Sequence, residues 1–129
     1  MIDTNILFST ILKSKYFNQL IEKIIENYTL ILYSYVIDEL YDAIYRKYHE
    51  KIENIDKFLT DLKFKFVRSP VAVQDDNRLF QIRDEKDYII LHTAIVENVD
   101  IFITNDKDFF DVDIKHPKIM TPIEFNEKY

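Results

Sequence analysis

Four carboxylates stand where short apolar runs end or helices begin: Asp3, Glu39, Asp87 and Asp106. Asp3 closes Met1-Ile2, and Glu39 lies just past Leu30-Ile31-Leu32. Asp87 opens Tyr88-Ile89-Ile90-Leu91, and Asp106 follows Ile101-Phe102-Ile103-Thr104. In open parallel sheets, ligands bind outside the carboxyl ends of the strands. Three of these acids fall at or soon after such an end. Asp87 starts the helix before the fourth strand and can approach the same edge. Gathered there, the acids repel: two like charges ~4 Å apart cost roughly 4 kcal/mol at an intermediate dielectric. A divalent cation removes that cost, and hard oxygen ligands favour Mg²⁺ or Mn²⁺. One or two such ions can activate a water and stabilise the leaving oxygen of a phosphodiester. A structural explanation competes for each acid alone. The chain has 23 acidic residues, so some reach strand ends by chance, and Asp at a helix start is often a cap. Asp3 resists that explanation best, because Asp3-Thr4-Asn5 sets an acid and an amide side by side after a strand.

The elements that must position these acids can be read from apolar periodicity. Residues 1–2 form the stub of a first strand, shorter than the usual ~5–6 residues, which suggests missing upstream residues. Helical spacing predicts helices over 5–13 (Ile6, Leu7, Ile11, Leu12) and 16–27 (Phe17, Leu20, Ile21, Ile24, Ile25). The apolar run 29–33 fits a buried parallel strand. Ser34 suits an N-cap for a helix carrying Ile37, Leu40, Ile44 and Tyr48. Another helix is expected over 50–62, then an alternating strand over 63–68 around Phe64, Phe66 and Val67. Residues 70–83 are expected to be loop. A helix over 85–97 turns Ile89, Ile90, Thr93 and Ala94 inward, followed by a buried strand over 100–104. A short strand at 118–120 precedes Pro122, well placed as the first residue of a last helix. Strands alternating with helices imply a mostly parallel sheet covered on both faces. No repeat, low-complexity tract or linker divides residues 1–129, which read as a single domain.

Composition excludes several classes. The chain of 129 residues is long enough for a core, and 47% hydrophobic with 31% charged is a globular balance. No apolar run approaches the ~20 residues of a membrane span, and Asp3 interrupts any signal-peptide stretch. A cytoplasmic location without membrane attachment is the default expectation. Cysteine is absent, which excludes disulfides and thiolate metal sites. Glycine is absent too, which excludes a P-loop and a Gly-rich dinucleotide loop. The net charge of −6 does not advertise nucleic acid, although bound cations would offset part of the deficit.

Taken in order, the motifs resemble those of PIN-domain nucleases. Ile2-Asp3-Thr4-Asn5-Ile6-Leu7 resembles the family's opening motif. The stretch 30–40, ending Val36-Ile37-Asp38-Glu39-Leu40, resembles its second strand and the helix bearing the second acid. Arg83-Asp84-Glu85-Lys86-Asp87, with Leu91 and Ala94, resembles the third motif. Ile103-Thr104-Asn105-Asp106-Lys107-Asp108-Phe109 resembles the fourth, and Ile119-Met120-Thr121-Pro122-Ile123-Glu124-Phe125 a common ending. Each motif alone is weak, but their order and spacing over nearly the whole chain are fairly specific. Within the family the likeness is to the toxin components of type II toxin–antitoxin pairs, the VapC-like proteins.

The resemblance implies a PIN-like α/β three-layer sandwich, with a mostly parallel central sheet flanked by helices. It implies Mg²⁺- or Mn²⁺-dependent hydrolysis of RNA phosphodiesters. Asp3, Glu39, Asp87 and Asp106 would be the catalytic quartet. Asp3, Asp87 and Asp106 would ligate the metal, with Glu39 ligating or acting through water. Asn5 would orient the first acid, and Thr104 would line the site. A small antitoxin would inhibit by filling the RNA groove, which a homodimer would widen. Asp38 competes with Glu39, though the register of Leu32 and Leu40 favours Glu39. Asp108 competes with Asp106, because some family members use an amide at the fourth position. Asp84 is an accessory acid or an N-cap. The chain departs from the family where Tyr33 replaces a small hydroxyl residue, Glu85 replaces a frequent proline, and the first strand is truncated.

Other side chains carry weaker signals. His49, His92 and His116 are dispersed, and no nucleophile elbow is present. Tyr45 and Tyr48 are candidate base-stacking residues, and Lys13, Lys15, Arg46 and Lys47 candidate phosphate contacts. Two rival readings remain. One is a non-catalytic interaction module of the same fold. The other is an aspartyl-phosphate phosphatase, which wants Asp-x-Asp at the first strand where this chain has Asp3-Thr4-Asn5.

Overall fold

The computed structural model describes residues 1–12, 14–68 and 78–129. The expected loop at 70–83 therefore falls outside the described residues as far as 77. From 78 to 84 the chain forms neither helix nor strand, as expected. Lys13 also lies outside them.

The helices form where apolar residues recur every three or four positions, and local chemistry sets their ends. Helix α1 (Thr4–Ile11) is capped by Asp3, whose carboxylate accepts from the Asn5 and Ile6 N–H groups. Helix α2 (Lys15–Asn27) is capped by Ser14 and buries Leu20, Ile21 and Ile24. Strand β1 (Ile31–Tyr33) runs directly into α3 (Ser34–Lys47). Ser34 is thus the first helical residue and Tyr33 holds the cap position, one residue earlier than the sequence pattern suggested. The buried stripe of α3 is Val36, Leu40 and Ile44. A 3₁₀ turn at His49–Lys51 leads into α4 (Ile52–Asp61), and β2 (Lys65–Val67) follows.

The second half repeats the strand–helix logic. Asp84 caps α5 (Glu85–Val96), which leads to β3 (Ile101–Ile103). After a 3₁₀ turn at Lys107–Phe109 come β4 (Lys118–Met120) and α6 (Pro122–Lys128). The last helix starts with Pro122 and a capping box between Thr121 and Glu124, which satisfies orphan N–H groups at both ends of the turn.

All strand pairings among the described residues are parallel. β1 pairs with β2, Leu32 opposite Phe66. β3 pairs with β4, Phe102 opposite Ile119. The first strand is reduced to one parallel bridge, Ile2 to Ile103. Three hydrogen bonds hold it: the Met1 amino group to the Ile101 carbonyl at 2.9 Å, Ile103 N–H to the Met1 carbonyl at 2.9 Å, and Asp3 N–H to the Ile103 carbonyl at 3.3 Å. β3 therefore lies between the N-terminal segment and β4. Short strands suffice because the core is continuous: Ile2, Leu7, Leu32, Leu40, Ile55, Leu91 and Phe102 are essentially inaccessible to solvent. Phe66, expected as a strand residue, is 49% exposed while its neighbour Val67 is buried. Lys65 is exposed as well, so only the Val67 end of β2 reaches the core.

Candidate active-site cleft

The Ile2–Ile103 bridge decides where the site forms. The residues just beyond the bridge on each segment are Asp3 and Thr104, and both are buried. One Asp3 oxygen accepts from the Asn5 N–H at 3.1 Å and the Ile6 N–H at 3.3 Å; the other accepts from the Thr104 hydroxyl. The same Thr104 oxygen accepts the Asp106 N–H at 3.0 Å. One hydroxyl thus orients the first acid and fixes the backbone that carries the fourth. Asn5 contributes through its main-chain N–H, while its side chain is exposed and lines the cleft.

Glu39 enters from the second turn of α3. Its carboxylate accepts from the Thr4 hydroxyl at 3.2 Å, which ties α3 to the start of α1. Asp38 is exposed, whereas Glu39 is half-buried. Asp87 sits in the first turn of α5. Asp84, one of the open assignments, accepts the Lys86 N–H at 2.8 Å and is the cap of that helix.

Asp3, Glu39, Asp87 and Asp106 all line one cleft of about 440 Å³. Asp87, Asp106 and Asp108 each offer a carboxylate oxygen, and these lie within 4.8 Å of one another. Asp108 differs from Asp106 in its other contacts. Its N–H donates to an Asp106 carboxylate oxygen at 3.0 Å, and its own carboxylate pairs with exposed Arg83 at 3.4 Å. Asp108 therefore faces the rim, and Asp106 faces the interior of the cleft.

Electrostatics reflect this crowding. Asp87 is pushed up to about 6, first by burial and then by the charges of Asp106, Asp84, Asp108 and Glu39. Asp3 is raised by burial, against the opposing hydrogen bonds from Thr104, Ile6 and Asn5. Glu39 is raised by burial, opposed by the Thr4 hydrogen bond and the charge of Lys86. A divalent cation would relieve carboxylates raised in this way by burial and by one another. The donor set contains oxygen only, which fits Mg²⁺ or Mn²⁺ and not a soft metal.

The cleft also holds residues that sequence patterns did not single out. Tyr35, Asp42 and Lys86 line it, beside Arg46 and Lys47, which the sequence had offered as phosphate contacts. The signal was present once α3 was recognised: counting from Glu39 in steps of three and four reaches Tyr35, Asp42 and Arg46. The Thr4–Glu39 bond had no comparable signal, because it spans two elements. His49, His92 and His116 do not line the cleft. At the opposite, amino ends of the strands lies a smaller cavity of about 180 Å³, lined by Met1, Ile31, Ile101 and Phe125 among others. Its lining is largely apolar and offers no carboxylate cluster.

Comparison with known proteins agrees with this architecture. A family model described as PIN domain matches residues 1–108. Among solved structures, the chain is similar to one from the crystal structure of VapBC2 from Rickettsia felis bound to a DNA fragment from their promoter. The TM-score is 0.69 at 20% identity, over 93% of this chain and 95% of that one. No curated protein matches the sequence.

Proposed function

The chain belongs to the PIN domain family, and from that premise we propose that it is a metal-dependent endoribonuclease, the VapC-like toxin of a type II toxin–antitoxin pair. The observation that carries this reading is the convergence of Asp3, Glu39, Asp87 and Asp106 on one cleft, with the Asp87, Asp106 and Asp108 oxygens within 4.8 Å. Acids from four separate segments do not meet by chance at a buried edge, because their mutual repulsion opposes it.

Asp3, Asp87 and Asp106 would hold Mg²⁺ or Mn²⁺, with Asp108 supporting from the rim. The ion would supply Lewis-acid stabilisation of the charge that develops on the phosphate. Thr104 keeps the Asp3 carboxylate aimed into the site, and the α1 N–H groups hold its other oxygen. Glu39, restrained by Thr4 and raised in pKa by burial, would accept a proton from an attacking water. The cognate antitoxin and a homodimer belong to the same proposal and are supported by the sequence resemblance to VapC-like toxins. In this reading the protein works in the cytoplasm, where its RNA substrate is found.

The test is cleavage of a panel of structured RNAs with Mg²⁺ or Mn²⁺, with Asp3→Asn as control. Metal-dependent cleavage by the wild type alone supports the reading, and equal cleavage by the variant sinks it. The rival interaction module of the same fold predicts no divalent-metal binding by calorimetry and no effect of expression on growth.

A further inference from the structure

Helix α3 turns one complete face toward the acids. Tyr35, Glu39, Asp42, Ala43, Arg46 and Lys47 all line the cleft, and their spacing is that of a single helical stripe. The chemistry changes along it, from an aromatic ring through carboxylates to two cations. Arg46 and Lys47 are exposed. The Arg46 Nε donates to the Asp42 carbonyl at 3.3 Å, and the Lys47 Nζ stands 5.7 Å from the Phe8 ring centroid. Lys86 reaches the same cleft from α5.

Among the described residues, these three cations make no ion pair; the pairs formed are Arg78–Glu85 and Arg83–Asp108. They share that with most of the described basic side chains; what sets them apart is position, three cations on the wall of a cleft otherwise rich in carboxylates. Helix dipoles explain only part of it. Cations in the last turn of α3 are favoured by the dipole, whereas a cation in the first turn of α5 is not. Lys86 partly offsets the acids, since its charge acts on Glu39. Arg46 and Lys47 lie farther along the helix, one turn beyond Asp42 and two beyond Asp38, both of which also line the cleft.

Resting on the ribonuclease reading, we propose that Arg46 and Lys47 bind backbone phosphates of a single RNA strand running along α3, on one side of the scissile bond, with Lys86 holding a phosphate beside Asp87. The helical rise from Glu39 to Arg46 and Lys47 is ~10–12 Å, or about three nucleotides at the spacing of a stacked strand. A single strand suits the cleft because Tyr35, half-buried and stacked on Tyr33 at 6.2 Å, presents a ring at its acidic end, where an unpaired base can stack. Arg46 and Lys47 are positioning residues in this scheme and touch no reacting atom.

The experiment measures anisotropy of fluorescent oligo(U) of increasing length, bound to the full chain carrying Asp87→Asn to block cleavage, in Mg²⁺ across a salt series. On a single strand each phosphate contact contributes about −0.7 to the slope of log K against log salt. Adding Arg46→Ala with Lys47→Ala should flatten the slope by about 1.4 and abolish the affinity gained by lengthening the oligomer. Arg46→Lys with Lys47→Arg should retain both. Both side chains are exposed, so superimposable thermal unfolding will show the fold intact. Binding by the Asp87→Asn protein with slope and length dependence unchanged in the alanine pair overturns the proposal alone. Absence of RNA binding by both the wild type and the Asp87→Asn protein overturns it together with the ribonuclease reading.

Discussion

Thr104 donates its hydroxyl to Asp3 across 101 positions of sequence. The parallel bridge between Ile2 and Ile103 makes this contact, because the next residues in register are necessarily neighbours at the carboxyl end. The same oxygen receives the Asp106 N–H, so a single buried side chain links the first and fourth acids.

Removing that hydroxyl tests the link. Thr104→Val keeps the shape and strands the buried Asp3 oxygen and the part-buried Asp106 N–H, which should cost about 1–3 kcal/mol in urea unfolding. Metal-dependent cleavage should fall at least tenfold, and Thr104→Ser should restore most of it. A Val variant as active as the wild type would show that Asp3 needs no such orientation.

Asp87 gives a stability prediction with a defined sign. Its pKa is raised from 3.8 to about 6 by folding, so between those values the folded chain binds more protons than the unfolded one. Stability from this group is therefore greatest at the acidic end and falls as pH rises toward 6. In EDTA, the wild type should melt higher at pH 5 than at pH 7. Asp87→Asn should melt higher than wild type at pH 7 and lose much of that pH dependence. Melting curves identical for both proteins at both pH values would contradict the crowding.

Divalent metal should act in the opposite sense to protons. Mg²⁺ or Mn²⁺ binds the ionised acids, so its stabilising effect should be larger at pH 7.5 than at pH 5. Differential scanning fluorimetry reads this directly. The increment should vanish in Asp106→Asn. An equal shift in that variant would place the ion elsewhere.

Asp106 and Asp108 should separate under mutation. Asp106 lines the cleft, whereas Asp108 pairs with Arg83 at the rim. Asp106→Asn should lower kcat by about two orders of magnitude or more, in the range of transition-state charge stabilisation. Asp108→Asn should cost about tenfold, the lower bound for an outer-shell partner. Equal losses would mean that both carboxylates ligate.

Much of this protein was legible before its structure. Apolar periodicity located the helices, because burying one face demands a fixed spacing whatever the partner. β4 at Lys118–Met120 and the Pro122 helix start came out as expected, since proline and capping chemistry act locally. The candidate acids were visible as carboxylates at the ends of apolar runs, and the order of the motifs pointed to the PIN domain. Local signals failed where neighbours decide. The position of α3 one residue early, with Tyr33 as cap, follows from β1 running into the helix without a loop. Sequence favoured Asp106 as the fourth acid, with Asp108 two residues on as its competitor; the surrounding Arg83 and Thr104 give the two different contacts. Lys86 and the Thr4–Glu39 bond had no local signal because each depends on how α3, α5 and α1 meet, whereas Tyr35 follows from Glu39 by helical spacing within α3. Sequence determined which residues must be buried and which acids stand at strand ends and helix starts, where Asp3 and Asp106 also serve as caps. Tertiary structure decided which of them share a cleft, because pairing register and helix packing set distances that no spacing along the chain encodes.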